Sequence, residues 1–247
     1  MTDPDDRHLP EAIGRVAGGE LRRSDVRPLA RTAVSSLRRA GRSAVVGGQW
    51  LAETMVEVVP HIPVRDLETL QVHHNGATGG VLAGELIRNA ARASAAVGAT
   101  MGALAAGEDL TPPAWVMLPI ELVVETLAVA AIEMKLVAEL HEVYGRPVPG
   151  QGTDRALALA RAWGERRGVR PEMLLTGVGL GEALGRGTRN EIMRLVRRRL
   201  MRRTLRNTTS LVPFLIGAVA GAEVNRRATA SLGDAVVRDL ADARRWR

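Results

Sequence analysis

The chain has no cysteine in 247 residues. Disulfides, zinc–thiolate sites, iron–sulfur clusters and cysteine nucleophiles are therefore excluded. Aromatic residues are scarce, with one phenylalanine, one tyrosine and four tryptophans. Stacking of nucleic-acid bases on interleaved aromatics has little to draw on. Lysine occurs once, as Lys135, and follows no glycine-rich loop, so no phosphate-binding loop is present. No Gly-x-Ser-x-Gly elbow occurs. The segment Gly177-Val178-Gly179-Leu180-Gly181-Glu182 nearly matches a dinucleotide fingerprint, but Glu182 stands in place of the third glycine. No alternating strand precedes it, so it is rejected. Strand alternation is absent elsewhere too.

What the chain does have is Gly, Ala, Val and Leu in quantity. Hydrophobic residues make up 46% and charged residues 25%, an ordinary globular balance. The expected fold class is all-α, a multi-helix bundle whose core helices are packed through Gly and Ala. Residues 1–10 read as a polar, disordered arm, 11–240 as a single helical domain and 241–247 as a basic tail. An apolar pattern of three- and four-residue spacing covers 44–59 and stops at Pro60-His61-Ile62-Pro63. A short helix follows over 66–74. Thr111-Pro112 reads as a helix start, and the long helix it opens closes at Tyr144-Gly145 with Pro147 beyond. Amphipathic helices are expected over 153–167, 171–185 and 188–206, and a last one ending near Leu240.

Glycines recur at four-residue spacing: Gly76, Gly80 and Gly84; Gly98 and Gly102; Gly217 and Gly221. That spacing places each set on one helix face and lets another helix approach closely. Each interior glycine costs about 0.5–1 kcal/mol relative to alanine, so tight packing must compensate. Two stretches around these glycines carry no charge, Ala93–Gly107 and Asn207–Ala222. They measure about 22 and 24 Å as helices, short of the ~30 Å hydrocarbon core. Pro213 is expected to interrupt the second, and Glu125 makes the 122–132 window expensive at mid-bilayer. The small-residue helices thus suit a tightly packed soluble bundle, or a protein that dips into a bilayer from one side.

The formal net charge is +7, and Lys135 is the single lysine among 34 basic residues. The positive charge is concentrated: Arg186–Arg206 holds nine arginines and one acid, Glu191. Arg22–Arg42 is a thinner basic region. Such a balance attracts anionic membrane surfaces and nucleic acid. No DNA-binding module frames the arginines, so nucleic acid is the weaker partner. The acidic start Met1-Thr2-Asp3-Pro4-Asp5-Asp6 is not a secretory signal, and an intracellular location is expected.

Three segments resemble the EcsC-like family of bacterial proteins. They are Gly76-Ala77-Thr78-Gly79-Gly80 through Ala106; Leu118-Pro119-Ile120-Glu121 through Val143-Tyr144-Gly145; and Val212-Pro213-Phe214-Leu215-Ile216-Gly217-Ala218 with Gly221-Ala222, Asn225, Thr229 and Leu232-Gly233. The last is also similar to a domain found beside some bacterial GTPase modules. The resemblance covers about 76–240, and the stretch around Arg186–Arg206 has no counterpart in it. It implies a helical, membrane-associated protein without settled catalytic machinery, so no catalytic residue is carried over and no cofactor is implied.

The expected function is membrane association, peripheral to the inner face of the cell membrane. Arg194, Arg197, Arg198, Arg202 and Arg203 would hold headgroup phosphates. Trp115, Leu118, Leu211, Phe214, Leu215 and Ile216 would meet lipid. A homo-oligomer or a protein partner is compatible with the sequence. A second reading starts from a polar stripe on the long helix. Glu121, Glu125 and Glu139 fall within about 40° of one another, joined by Lys135 and Glu142. Of the five histidines (His8, His61, His73, His74 and His141), His61, His73 and His74 could join these carboxylates in a metal site, and Glu121 and Glu125 with a histidine could form a hydrolase site. The blander account is a solvated or internally salt-bridged face with Arg88 or Arg92 as partner, and no metal site is assigned.

Overall fold

The computed structural model describes residues 4–19, 32, 36, 54–55, 57–107, 114–150, 154–155, 158–159, 163 and 211–245. Among these residues the chain forms helices and no strand. We label the helices α1 (Pro4–Gly18), α2 (Leu67–His73), α3 (Gly79–Gly107), α4 (Ala114–Val143) and α5 (Leu211–Arg245). A 3-10 turn, Val59–His61, follows the helical residues Glu57 and Val58. The all-α architecture expected from the sequence is the architecture observed. The amphipathic helix expected over 153–167 is met by helical backbone at Asp154–Arg155, Ala158–Leu159 and Trp163. The expected helices over 171–185 and 188–206, and the Thr111-Pro112 start, lie outside the described residues.

Helix ends follow the local chemistry. Asp66 caps α2 by accepting a hydrogen bond from the Thr69 amide at 2.8 Å. The α2 exit uses two left-handed residues in succession, Asn75 (φ 52°) and Gly76 (φ 79°). Gly76 therefore serves a turn, not the helix face that its spacing predicted. At the end of α4 the Arg146 amide reaches the His141 carbonyl at 2.9 Å and the Gly145 amide reaches Glu142 at 3.0 Å. With Gly145 at φ 67°, this is a Schellman motif at the place where Gly145 and Pro147 predicted a stop.

Three corrections concern the ends of the chain. Residues 4–18 are helical rather than a disordered arm. Leu9, Ile13 and Val16 repeat at four and three residues, and all are buried in the main core. Pro213 does not interrupt the uncharged run. It is the third residue of α5, where a missing amide proton breaks no intrahelical bond. The last helix also continues past Leu240 to Arg245 as one helix of 35 residues, about 50 Å long.

The centre of the fold is α4. Every residue from Ala130 to Leu140 is buried, so this stretch is surrounded on all sides, as expected of a helix apolar all round. α1 packs on α4 and on the 3-10 turn. A Cβ built on Gly14 would lie 2.5 Å from the His61 carbonyl oxygen, so only glycine permits that approach. α3 and α5 form the most extensive helix pair. Their register follows from three contacts. Ile87 meets Gly233, Ser94 meets Thr229, and Gly98 meets Gly221. Rising numbers on α3 pair with falling numbers on α5, so the two are antiparallel. On α4, Glu125 meets Asn225 and Leu136 approaches Gly233, so α4 runs parallel to α5. The uncharged stretches at the α3 C-terminus, the α4 N-terminus and the α5 N-terminus consequently lie at the same end.

Gly98 and Gly221 fulfil the packing role read from their spacing. A Cβ on Gly98 would lie 2.6 Å from the Gly221 carbonyl oxygen, and one on Gly221 would lie 2.7 Å from that of Gly98. Gly102 and Gly217 continue the same helices one turn further on. Among the described residues nothing lies within 4 Å of a Cβ on Gly80, and a Cβ on Gly84 would meet only the Arg88 guanidinium, at 3.4 Å. The contrast is testable by thermal or urea unfolding. Gly98→Val should destabilise the fold by at least about 1–3 kcal/mol through overpacking. Gly80→Ala should leave stability unchanged or raise it by up to about 1 kcal/mol.

Candidate functional site

The polar groups of α4 form three clusters, each tying this helix to a distant part of the chain. The first is built on Glu139. Arg65 presents its guanidinium edge-on, with Nε 2.9 Å from Glu139 Oε1 and Nη2 3.2 Å from Oε2. One turn earlier, Lys135 donates to Glu139 Oε1 and, at 2.6 Å, to the Pro63 carbonyl. Glu139 and Lys135 are both buried. Burial holds the Lys135 amine below its usual range; the nearby Glu139 carboxylate opposes that shift without cancelling it. Two cations thus share one carboxylate, and together they pin the extended Pro63–Arg65 segment to α4.

The second cluster lies deeper and is built on Glu133, which is fully buried. Trp163 Nε1 donates to its Oε2 at 2.9 Å. The Thr229 hydroxyl lies 3.0 Å from its Oε1 and 2.9 Å from Ser94 Oγ. A hydroxyl has one proton to give. Thr229 therefore donates to the carboxylate and accepts from Ser94. Residues from α3, α4 and α5 meet here with Trp163. The third cluster is Glu125 with Asn225, whose Nδ2 donates to Oε1 at 2.7 Å beside the Gly98–Gly221 contact. Among the described residues no buried side-chain nitrogen or oxygen lacks a partner.

Glu125, Lys135 and Glu139 of the polar stripe are thus internally bonded. The partners of Glu139 are Arg65 and Lys135, and Asn225 binds Glu125; neither Arg88 nor Arg92, the cations closest at hand in the sequence reading, supplies these bonds. Glu142 pairs with Arg155 at 3.3 Å. Glu133 was not singled out from the sequence, because it sits about 80° around the helix from Glu125. Ser94 gave no signal among so many small residues. The histidines are scattered: His74 Nδ1 lies 2.6 Å from Glu85, His73 Nδ1 meets the Thr69 carbonyl and His141 Nδ1 meets the Arg146 carbonyl. No group of three metal-ligating side chains occurs among the described residues. A cleft of about 400 Å³ lies between α1 and the 3-10 turn, lined by Glu11, Gly14, Arg15, Gly18, His61 and Pro63.

The residues assigned to lipid contact are placed as follows. Arg194, Arg197, Arg198, Arg202 and Arg203 lie outside the described residues. Trp115, Leu118 and Glu121 are in the first turns of α4, and Leu211, Phe214, Leu215 and Ile216 are in the first turns of α5. No described helix is long and apolar enough to cross a membrane.

Two variants probe the Glu139 cluster. Glu139→Gln leaves Lys135 and Arg65 facing each other without their shared counter-charge, and should cost about 3–5 kcal/mol in urea unfolding. Lys135→Met should change the pH dependence. In the folded protein Lys135 releases its proton below the value of 10.5 that it has when exposed. Between those two values the unfolded chain binds more protons, so stability rises with pH. The stability of the natural protein relative to Lys135→Met should therefore rise as pH climbs from neutrality toward 10.5. A flat difference across that range would contradict the buried-amine assignment.

No family model, no curated protein and no solved structure matches the chain.

Proposed function

We propose that the protein is a non-enzymatic, membrane-associated helical protein of the EcsC-like type, acting at the inner face of the cell membrane. Its partner is an anionic lipid surface. The observation that carries this reading is a juxtaposition along the chain. Nine arginines in Arg186–Arg206 stand immediately before α5, and the first twelve residues of α5, Leu211–Ala222, carry no charge. Cationic side chains beside an uncharged helix start suit the boundary between headgroups and acyl chains.

The polar clusters support the same reading. Glu125, Glu133 and Glu139 are bonded between helices, and Lys135 is bound to Glu139 and Pro63. Their geometry favours a structural role over a hydrolytic one. In the sequence, Arg186–Arg206 is the densest run of positive charge.

Near an anionic surface each arginine contributes about 1 kcal/mol. Replacing Arg194, Arg197 and Arg198 with glutamate should weaken binding to phosphatidylglycerol-containing vesicles by at least about 100-fold. Flotation of the detergent-free protein measures this. Unchanged flotation of the triple variant would remove the arginines from the interaction.

A further inference from the structure

We infer that the cleft between α1 and the 3-10 turn binds a small zwitterion, a molecule with an anionic oxygen group (phosphodiester or carboxylate) a few bonds from a protonated amine. The inference goes beyond the membrane reading and does not rest on it.

The cleft has a volume of about 400 Å³, and small-molecule sites run from about 300 to 1,000 Å³. One side is a stripe of α1. Glu11, Gly14, Arg15 and Gly18 stand at i, i+3, i+4 and i+7, positions that share one helix face. His61 and Pro63 form the other side. The two sides are fixed against each other. A Cβ on Gly14 would lie 2.5 Å from the His61 carbonyl oxygen, and one on Gly18 would lie 3.3 Å from Pro63 Cγ. Behind Pro63 stands the Glu139 cluster. The Pro63 carbonyl accepts from Lys135 at 2.6 Å, and Arg65, two residues on, is bonded to Glu139. A buried ion network contributes little beyond what well-packed apolar groups would. Holding the wall of a site is a use for it, because lining groups need support from groups that do not touch the ligand.

The side chains left facing the cleft carry its chemistry. Glu11, Arg15 and His61 line it and are exposed. Among the described residues none of the three side chains makes a hydrogen bond or ion pair, and Glu11 and Arg15 are not paired with each other although they stand one turn apart. The carboxylates of α4 contrast with this, since Glu125, Glu133 and Glu139 are all bonded internally.

The ligand class follows from charge. The Arg15 guanidinium presents a fork of donors that matches the two oxygens of a phosphodiester or a carboxylate. His61 offers a ring nitrogen from the facing side. Glu11 attracts a protonated amine. A bare anion is opposed by Glu11 and a bare cation by Arg15, so the lining favours a molecule that carries both charges.

The test is isothermal titration calorimetry at neutral pH with two zwitterions, glycerophosphoethanolamine and γ-aminobutyrate. Their amine-free counterparts are glycerophosphoglycerol and butyrate. The proteins compared are the natural chain, Arg15→Gln, Glu11→Gln and Arg92→Gln. Arg92 is an exposed arginine of α3 and controls for the loss of one positive charge. At least one zwitterion should saturate the natural protein with a Kd of about 1 mM or lower, and bind at least about tenfold more tightly than its counterpart. Arg15→Gln should weaken that binding at least about tenfold. Glu11→Gln should erase the preference for the amine, and Arg92→Gln should keep the natural affinity. Saturation by the phosphodiester assigns the site to a headgroup-type ligand, and saturation by γ-aminobutyrate assigns it to a free amino acid. No saturation by either zwitterion up to about 20 mM would overturn the inference. Equal binding by all four proteins, or of zwitterion and counterpart by the natural protein, would overturn it too. Every probe is soluble, so either result leaves the vesicle reading to its own flotation test.

Discussion

Where α3 crosses α5, backbone meets backbone. Gly98 and Gly221 each occupy the space in which the other's side chain would stand. The rest of the described fold depends on this approach. Because it is so close, Asn225 can pass the crossing and reach Glu125 on α4. One turn further on, Thr229 reaches both Ser94 and Glu133. The entropic cost of interior glycine is offset by the dispersion contacts and polar bonds that the approach makes available.

The polar groups of α4 have a common logic. A helix buried on all sides gains most from apolar residues, yet this one carries Glu133, Lys135 and Glu139 within two turns. Each carboxylate receives donors from other segments, so each defines one register among those available to smooth apolar surfaces. A buried charge network is weak evidence for extra stability. Replacing such a group with a well-packed apolar one is often neutral. Removing one partner is not, because the other charge stays behind in a low dielectric. The Arg65–Glu139–Lys135 cluster accordingly acts as a positional lock on the Pro63–Arg65 segment.

Membrane association, as proposed, asks for a rigid frame and one unlike surface. The frame is the α3–α4–α5 group, held by glycines and internal polar bonds. The unlike surface, in this proposal, is the Arg-rich segment Arg186–Arg206 followed by the uncharged residues Leu211–Ala222. The proposal differs from a spanning protein, since no described helix is long and apolar enough to cross a membrane.

Local chemistry in the sequence determined much of the fold. The Asp66 cap, the Gly145–Pro147 stop and the helical periods of α3 and α4 are written in neighbouring residues, because caps and periodicity act within a few positions. Gly98 and Gly221 were legible for the same reason, since four-residue spacing is a property of a single helix. Gly76 and Gly80 show the limit of that signal: spacing alone cannot tell a packing glycine from a turn glycine or one facing no neighbour. The partners of the polar stripe were beyond reach, because Arg65 lies 74 residues from Glu139 and Asn225 lies 100 from Glu125. The tertiary structure alone decided that α3 and α5 run antiparallel, that Glu133 lies at their junction with α4, and which side of α5 faces outward. Those outcomes depend on which surfaces meet, and no residue's neighbours along the chain carry that information.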